Sequence, residues 1–162
     1  MYSIRVEGDI QPLLKKLRHF SDLDKKGLNT ALAEVVVEST DERFKQGKDP
    51  EGKRWKTSIR AATEGGKTLI KSSQLRTSIH PEADATGWAV GTNAKHAATH
   101  QFGATRTIRA KRAKALRFQV GGQWVSKKQV KVTIPARPFL GLTDDDWTEI
   151  KATIEDFVGE EH

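Results

Sequence analysis

The sequence contains no cysteine, which excludes disulfide bonds, thiolate metal sites and cysteine nucleophiles. It also lacks any run approaching the roughly 18 apolar residues that a membrane-spanning helix needs. The first residues show no apolar stretch of the kind that marks a signal peptide. These absences lead us to expect a soluble, cytoplasmic protein that makes no membrane contact.

Acidic residues are missing between Asp84 and Asp144, while the same stretch is rich in lysine and arginine. Its cations are Lys95, Arg106, Arg109, Lys111, Arg112, Lys114, Arg117, Lys127, Lys128, Lys131 and Arg137. The C-terminus then reverses sign, and the net charge of the whole chain is +7. This polarity suits nucleic-acid binding and equally suits copies that dock head to tail, so charge leaves both open. Non-specific contact with DNA is expected of so basic a chain.

Helical spacing of apolar residues predicts an N-terminal helical part over residues 1–46. Asp9 can cap a first helix that reaches Phe20, and Ser21 or Asp22 can cap a longer second helix. The second helix is predicted to stop at Gly47 and to have an apolar stripe at Leu28, Leu32, Val35 and Ser39. The two helices should pack as a pair.

Beyond this part, residues 47–71 are rich in glycine, lysine and threonine and predict a long, partly mobile loop. Residues 72–142 favour a mainly antiparallel sheet, with strands at 75–80, 86–90, 115–120, 124–126 and 129–134. Gly121 and Gly122 supply positive-φ residues for a tight turn. Thr143 and Asp146 resemble a capping box that opens an acidic helix over residues 143–162. We therefore predict one α+β domain, residues 1–162, with N-terminal helices, a mainly antiparallel sheet and a C-terminal helix packed on it.

Three short motifs suggest chemistry, and each has a simpler structural explanation. Gly66-Lys67-Thr68 ends like a phosphate-binding loop, but Ala61 stands where that loop needs its first glycine. His96 and His100 have the spacing of two metal ligands on a helix, yet no acidic residue nearby completes a site. The run of aspartates at 144–146 is explained by helix capping and surface charge. We expect no catalytic residue, no cofactor and no bound metal, and we do not expect an enzyme.

The basic segment at residues 104–117 alternates cations with small and apolar residues. This pattern fits a flexible arm, an exposed hairpin or the lining of a channel. Phe102, Phe118 and Trp124 lie near it, and aromatic rings beside cations can stack on bases. Their alternation favours packing in the core of strands instead.

A series of landmarks in fixed order resembles the phage virion morphogenesis family, the tail-completion proteins of Mu-like phages and prophages. The landmarks are Phe44, residues 49–55 (DPEGKRW), 69–70 (LI), 73–79 (SQLRTSI), 90–93 (VGTN), 96–103 (HAATHQFG) and 134–142 (IPARPFLGL). Two positions depart from the family's usual pattern. Ser72-Ser73 replaces a threonine-glycine pair, and His96 stands where tyrosine is common.

The resemblance implies a structural protein that completes the tail or joins tail to head, acting in many copies through protein contacts. Its partners would be tail or head-neck proteins and further copies of itself in a ring. It would act in the cytoplasm of the bacterial host during assembly, and the virion tail or neck is a further location.

The stiff segment around Pro135 and Pro138 is our candidate interface. Phe139 and Leu140 would be its apolar anchor, and Arg137 would reach a carboxylate of a neighbouring subunit. Alternatively, Phe139 packs in its own core and Arg137 pairs within the chain. A second candidate surface, facing the lumen of the ring or an acidic partner, consists of Arg106, Arg109, Lys111, Arg112, Lys114 and Arg117. The alternative function is a nucleic-acid-binding protein that uses the basic block at residues 95–131 on phosphates.

Overall fold

The structure is a computed structural model that describes residues 23–120 and 122–159. Its elements, in chain order, are α1 Lys25–Gln46, α2 Ile59–Glu64, α3 Gln74–Thr77, β1 His80–Ala83, β2 Trp88–Gly91, α4 Ala97–Phe102, β3 Ala104–Arg109, β4 Leu116–Val120, β5 Gln123–Lys127, β6 Gln129–Ile134 and α5 Asp144–Gly159. The α+β class is confirmed, with a long helix first, antiparallel strands in the middle and a helix last. The helix predicted between Asp9 and Phe20 lies outside the described residues.

Helix α1 begins and ends at residues whose chemistry suits helix caps. The side chain of Asp24 accepts a hydrogen bond from the backbone N–H of Gly27 at 2.9 Å. Gly47 ends the helix in the left-handed region, at φ +69°, as its sequence position predicted. The start differs from the prediction, because Asp24 is the cap in place of Ser21 or Asp22.

The buried face of α1 is wider than the predicted stripe and is displaced by one residue. Val36 and Thr40 are buried, whereas the predicted Val35 and Ser39 are only half-buried. The displacement arises because α1 packs against both α5 and the β1–β2 hairpin, which cover neighbouring sides of the helix. Thr40 tolerates burial because its hydroxyl donates to the carbonyl of Val36 at 2.7 Å.

Residues 47–71 contain a short helix and a buried side chain where a long loop was predicted. Ser58 caps the six-residue helix α2 by accepting from the N–H of Ala61, and Trp55 is buried. The expected strand at 75–80 is wrong except at His80, because α3 forms at Gln74–Thr77 and β1 begins only at His80. A hairpin is confirmed as β1–β2, with His80 opposite Gly91, but its strands are His80–Ala83 and Trp88–Gly91 in place of 75–80 and 86–90.

Within the described residues, the strands form three two-stranded antiparallel ribbons where one larger sheet was predicted. β4 pairs with β5 across the glycine turn, as expected, and Gly122 has φ +84°. Gly121 lies outside the described residues. β6 has the predicted bounds, but it pairs with β3, from Ala104 opposite Ile134 to Arg109 opposite Gln129. The β4–β5 hairpin is therefore inserted in the chain between the two strands of the β3–β6 ribbon.

The main core of the described structure is built from residues far apart in the chain. Phe44, Trp55, Leu75, Ala97 and Phe139 form one buried cluster. The ring centroids of Phe44 and Trp55 lie 5.4 Å apart in an edge arrangement, and those of Phe44 and Phe139 lie 5.3 Å apart. Each of these five residues comes from a different landmark of the family resemblance, so those landmarks meet in this core.

A second cluster joins the two long helices. Leu32 and Val36 of α1 pack against Ile150 of α5, and half-buried Trp88 and Val90 of β2 complete the group. The terminal helix therefore rests mainly on α1, with one hairpin alongside.

The start of α5 carries both the predicted capping box and an unpredicted buried ion pair. The N–H of Thr143 donates to the carboxylate of Asp146 at 2.8 Å, and the N–H of Asp146 donates to the hydroxyl of Thr143 at 2.9 Å. The same carboxylate pairs with Arg43 of α1, and both side chains are almost fully buried. The interpretation of Asp146 as surface charge is therefore wrong, although Asp144 and Asp145 are exposed.

Candidate functional site

The β3–β6 ribbon and the β4–β5 hairpin form a cationic arm, which we define as residues 104–134. The buried hydrophobic residues of the described structure all lie outside this arm. Six cations predicted as a contact surface are exposed along it: Arg106, Arg109, Lys111, Arg112, Lys114 and Arg117. Within the described residues, none of the six forms an ion pair with an acidic side chain.

Hydrogen bonds and one ring contact hold three of these cations along the arm. Arg106 donates to the hydroxyl of Thr99 at 2.9 Å, and Arg109 donates to the side-chain amide oxygen of Gln129 at 3.2 Å. The guanidinium carbon of Arg117 lies 5.6 Å from the ring centroid of Trp124, a cation–π distance. Their charges remain uncompensated, so the arm presents a positive potential to solvent.

Two aromatic residues near the cations are more exposed than the sequence pattern suggested. Phe102, at the end of α4, is 78% exposed, and Trp124, on β5, is 66% exposed. Phe118 is half-buried. The expectation that all three pack in the core is wrong for Phe102 and Trp124. Among the described strands, the β4–β5 hairpin that carries Trp124 pairs with no other ribbon. The arm therefore offers apolar surface as well as charge.

The stiff segment at residues 135–142, which we call the strap, is bound to the body of its own chain. Gln101 of α4 accepts hydrogen bonds from the N–H groups of Phe139 and Leu140 at 3.0 and 3.1 Å, and donates to the Leu140 carbonyl at 2.9 Å. Trp55 donates through its indole N–H to the Pro138 carbonyl at 2.8 Å. A Cβ at Gly103 would lie 2.8 Å from the backbone nitrogen of Ala136, so only glycine permits this approach.

The strap residues predicted to contact a partner are engaged within the chain. Phe139 is fully buried in the main core, and Leu140 is half-buried against it. Arg137 is 5% exposed and donates to the Lys56 carbonyl at 2.7 Å. The alternative that places Phe139 in its own core and Arg137 inside the chain is what the structure shows. The interpretation of Arg137 and Phe139 as an exposed anchor is therefore wrong.

An acidic face lies where the end of α1 meets the start of α5. A cavity of about 550 Å³ opens there, and its acidic lining comprises Glu42, Asp49, Glu51, Asp144, Asp145 and Asp146. The carboxylate of Asp146 forms an ion pair with Arg43, whereas Asp144 and Asp145 are exposed in the first turn of α5. Hydrogen bonds from Gln46 and Lys45 lower the pKa of Glu42, which keeps that carboxylate charged. One molecule thus carries a cationic arm and a separate anionic face.

Comparison with known proteins shows the family to which this chain belongs. The chain matches the sequence model of the phage virion morphogenesis family over residues 5–159. The chain belongs to this family. It is also 33% identical over 130 residues to Mu-like prophage FluMu G protein 2 of Haemophilus influenzae (strain ATCC 51907 / DSM 11121 / KW20 / Rd), covering 80% of this chain and 75% of that protein. No solved structure matches the chain.

The phage virion morphogenesis family is a family of structural proteins. The described residues of this chain contain no cluster of metal ligands. The rings of His96 and His100 lie edge to face, 5.8 Å apart. Across residues 23–120 and 122–159, no three His, Cys, Asp or Glu side chains converge as metal ligands. The helices in those ranges also lack the combined length and hydrophobicity needed to cross a bilayer.

Sequence reasoning found the cations of the arm but missed most of the acidic face. Glu42, Asp49 and Glu51 lie about 100 residues from the acidic run that opens α5, and only tertiary structure brings them together. Gln101, the residue that holds the strap, stands inside the 96–103 landmark. The backbone groups that Gln101 binds lie 38 and 39 residues further along the chain, so no local sequence signal pointed to it.

Proposed function

We propose that this family member is a stoichiometric assembly protein that completes the phage tail or joins the tail to the head. Membership of the phage virion morphogenesis family over residues 5–159 carries the proposal. The structure supports it with two exposed surfaces of opposite charge on one molecule, the cationic arm and the acidic face. Its partners are tail or head-neck proteins of the particle, and it acts in the host cytoplasm while particles are assembled.

In this proposal, several copies form a ring in which the arm of one subunit meets the acidic face of the next. Such a contact joins different patches on the two subunits, and contacts of this kind close into rings when the rotation permits. Opposite potentials would steer the copies together and fix their register. In such a ring, the cations of the arm that do not meet a carboxylate would face the lumen.

Replacing arm cations by glutamine tests the contact. Arg109, Lys111, Arg112 and Lys114 sit around the loop between β3 and β4, and all four are exposed. The fourfold glutamine variant should fold normally, because no buried contact is lost, yet it should fail to support assembly. The matched control changes the net charge equally by replacing exposed cations outside the arm: Lys25, Lys26, Lys56 and Lys151. Full infectivity of the arm variant, or equal loss in both variants, would contradict a specific role for the arm.

The assembly role itself is tested with a stop codon early in this gene of the parent phage or prophage. Negative-stain electron microscopy of the lysate should show separate filled heads with free or overlong tails. Supplying the intact protein from a plasmid should restore joined particles. Normal joined particles in normal numbers without the protein would remove the proposed role.

Nucleic-acid binding is the second candidate, and the exposed Trp124 beside Arg117 favours it. A base can stack on such a ring while neighbouring cations contact phosphates. If six or more phosphates are contacted, affinity for DNA should fall by about 10³-fold or more between low and moderate salt. A Trp124→Ala variant should then bind single strands several-fold more weakly, as measured by fluorescence anisotropy at fixed salt. Weak binding that does not depend on Trp124 would reflect only the net charge.

A further inference from the structure

A second cavity, of about 250 Å³, lies between α3, α4 and the strap, away from the arm. We call it the His100 cavity. Its wall contains Arg60, Lys71, His96, His100 and Arg137, and its lining includes no Asp or Glu among the described residues. Since a water molecule occupies about 30 Å³ in the liquid, the cavity has room for a group of several non-hydrogen atoms.

Arg137 is buried in this wall without a counter-charge. Its Nε donates to the carbonyl of Lys56, and its two terminal nitrogens have no hydrogen-bond or ion-pair partner among the described residues. Burial lowers the pKa of Arg137, yet an arginine stays charged in proteins. Among the described residues, the terminal nitrogens of Arg137 are not fully buried atoms without a partner, so they open into the cavity and can donate to a group that enters it.

The other buried arginine of the described structure shows how this chain satisfies such a group. Arg43 pairs with the carboxylate of Asp146, donates to the hydroxyl of Ser39 at 2.8 Å and donates to the Phe139 carbonyl at 3.1 Å. The side chain of Arg137 is equally buried, but its only hydrogen-bond acceptor among the described residues is the carbonyl of Lys56. An oxyanion entering the cavity would supply the missing acceptor, because two parallel N–H groups of a guanidinium match two oxygens of a carboxylate or phosphate.

His100 provides an independent observation at the same place. Its Nδ1 is the only buried side-chain nitrogen or oxygen in the described structure without a hydrogen-bond partner. Buried polar atoms of this kind nearly always have a partner, so the His100 ring, which lines the same cavity as Arg137, keeps one hydrogen-bonding nitrogen unused. Burial and the charges of His96 and Arg137 lower the pKa of His100.

We propose that the His100 cavity binds one oxyanion group, a carboxylate or a phosphate, held by Arg137 and His100 and attracted by Lys71 and His96. A phosphate within a nucleic-acid backbone fits poorly, because Arg137 is 5% exposed and a bulky strand cannot approach it. A free phosphate or the carboxylate of an acidic side chain, which stands on a thin stem, can enter. The proposal does not rest on the assembly role, because it follows from the burial and charge of the wall alone.

Titration of the full-length protein with inorganic phosphate or with acetate tests the site, with sodium chloride added to hold ionic strength constant. The readout is the NMR signal of each histidine ring. The rings of His96 and His100 should shift saturably, and the pKa of His100 should rise, because a bound anion offsets the charges of Arg60, Lys71, His96 and Arg137. The exposed His80, outside the cavity, should not respond saturably. Saturation by phosphate alone identifies a phosphate site, and saturation by acetate identifies a carboxylate site. Absence of saturation with both anions overturns the proposal.

Variants locate the bound anion. Arg137→Lys keeps the charge but removes the paired N–H groups, so the affinity should fall by about tenfold or more. Because Arg137 also holds the Lys56 carbonyl, Lys71→Gln provides a test that leaves this contact intact, and it should weaken binding about threefold. Lys151→Gln, an exposed change of equal charge on α5, is the control and should bind like the unaltered protein. Equal affinities for Lys71→Gln, Lys151→Gln and the unaltered protein would place the anion elsewhere and overturn the proposal.

Discussion

Removal of the Asp146 carboxylate should be among the most destabilising single changes in the C-terminal helix. The carboxylate has two roles, because it pairs with buried Arg43 and accepts the N–H of Thr143 in the capping box. Breaking a buried ion pair from one side leaves an uncompensated charge and costs about 3–5 kcal/mol. Asp146→Ala should therefore lower the free energy of unfolding by about 4 kcal/mol. For a domain of this size, that corresponds to a fall in Tm of about 8–16 °C.

The neighbouring Asp145 supplies the matched control. It lies in the same first turn of α5, carries the same charge and is exposed. Asp145→Ala loses only its interaction with the helix dipole, so it should cost less than about 1 kcal/mol. Urea denaturation followed by circular dichroism measures both variants. If Asp146→Ala were within about 1 kcal/mol of Asp145→Ala, the importance of the buried pair would be refuted.

A double-mutant cycle separates the ion pair from the cap. Arg43→Met removes the buried cation, and in that background Asp146→Ala should cost much less, since no charge is left without a partner. The expected coupling free energy is about 2 kcal/mol or more. Strictly additive effects would show that the two side chains act independently.

Three further changes have defined expectations. Gly103→Ala should lower the free energy of unfolding by about 2 kcal/mol or more, because the new side chain meets both a positive φ and a clash with the strap. Gly122→Ala has the same kind of φ but open space around it, so it should lower that free energy by about 1 kcal/mol. Equal losses of stability in thermal melts would contradict the clash. Ser73→Gly should raise the free energy of unfolding by up to about 1 kcal/mol, because Ser73 has φ +56°, a conformation that glycine adopts without strain. The control Ser72→Gly should not be stabilising. If Ser72→Gly were the more stable of the two variants, strain at Ser73 would be refuted. The pKa of His100 in the folded chain lies below its ordinary value of 6.5, so the unfolded chain binds more protons and the free energy of unfolding should fall as the pH drops below about 6.5. Denaturation between about pH 7.5 and about pH 5 should show a shallower decline in His100→Gln, and an unchanged slope would contradict this origin.

Local rules correctly predicted several ends of elements. Gly47 ends α1, Thr143 and Asp146 form the capping box of α5, and β6 has the predicted bounds, because caps and strand alternation depend on residues close in sequence. The partner of β6 could not be predicted in this way. Pairing with β3 skips an inserted hairpin, and strand pairing of this kind is decided by long-range packing.

The candidate site was predicted unevenly for the same reason. The exposure of the arm's cations could be predicted from composition, because a stretch without Asp or Glu offers no nearby carboxylate to pair with its lysines and arginines. The contact between Arg43 and Asp146 spans 103 residues, so a run of aspartates looked like simple surface charge. Trp124 was expected to pack because aromatic residues usually do, yet within residues 23–120 and 122–159 no other strand pairs with its hairpin, and its side chain is exposed. Phe139 shows the opposite error, because a stiff apolar strap suits partner docking and core packing equally well.

The central claim, a stoichiometric role in particle assembly, is tested most directly by adding purified protein to the lysate of the phage with the early stop codon. Joined particles, counted by electron microscopy and by plaque titre, should increase with added protein and reach a plateau at a fixed ratio of several copies per particle. The fourfold glutamine variant of the arm should give no increase at the same doses. Restoration by far fewer protein molecules than particles would indicate turnover, and full joining without any added protein would show that assembly does not need it. Either result would contradict the account.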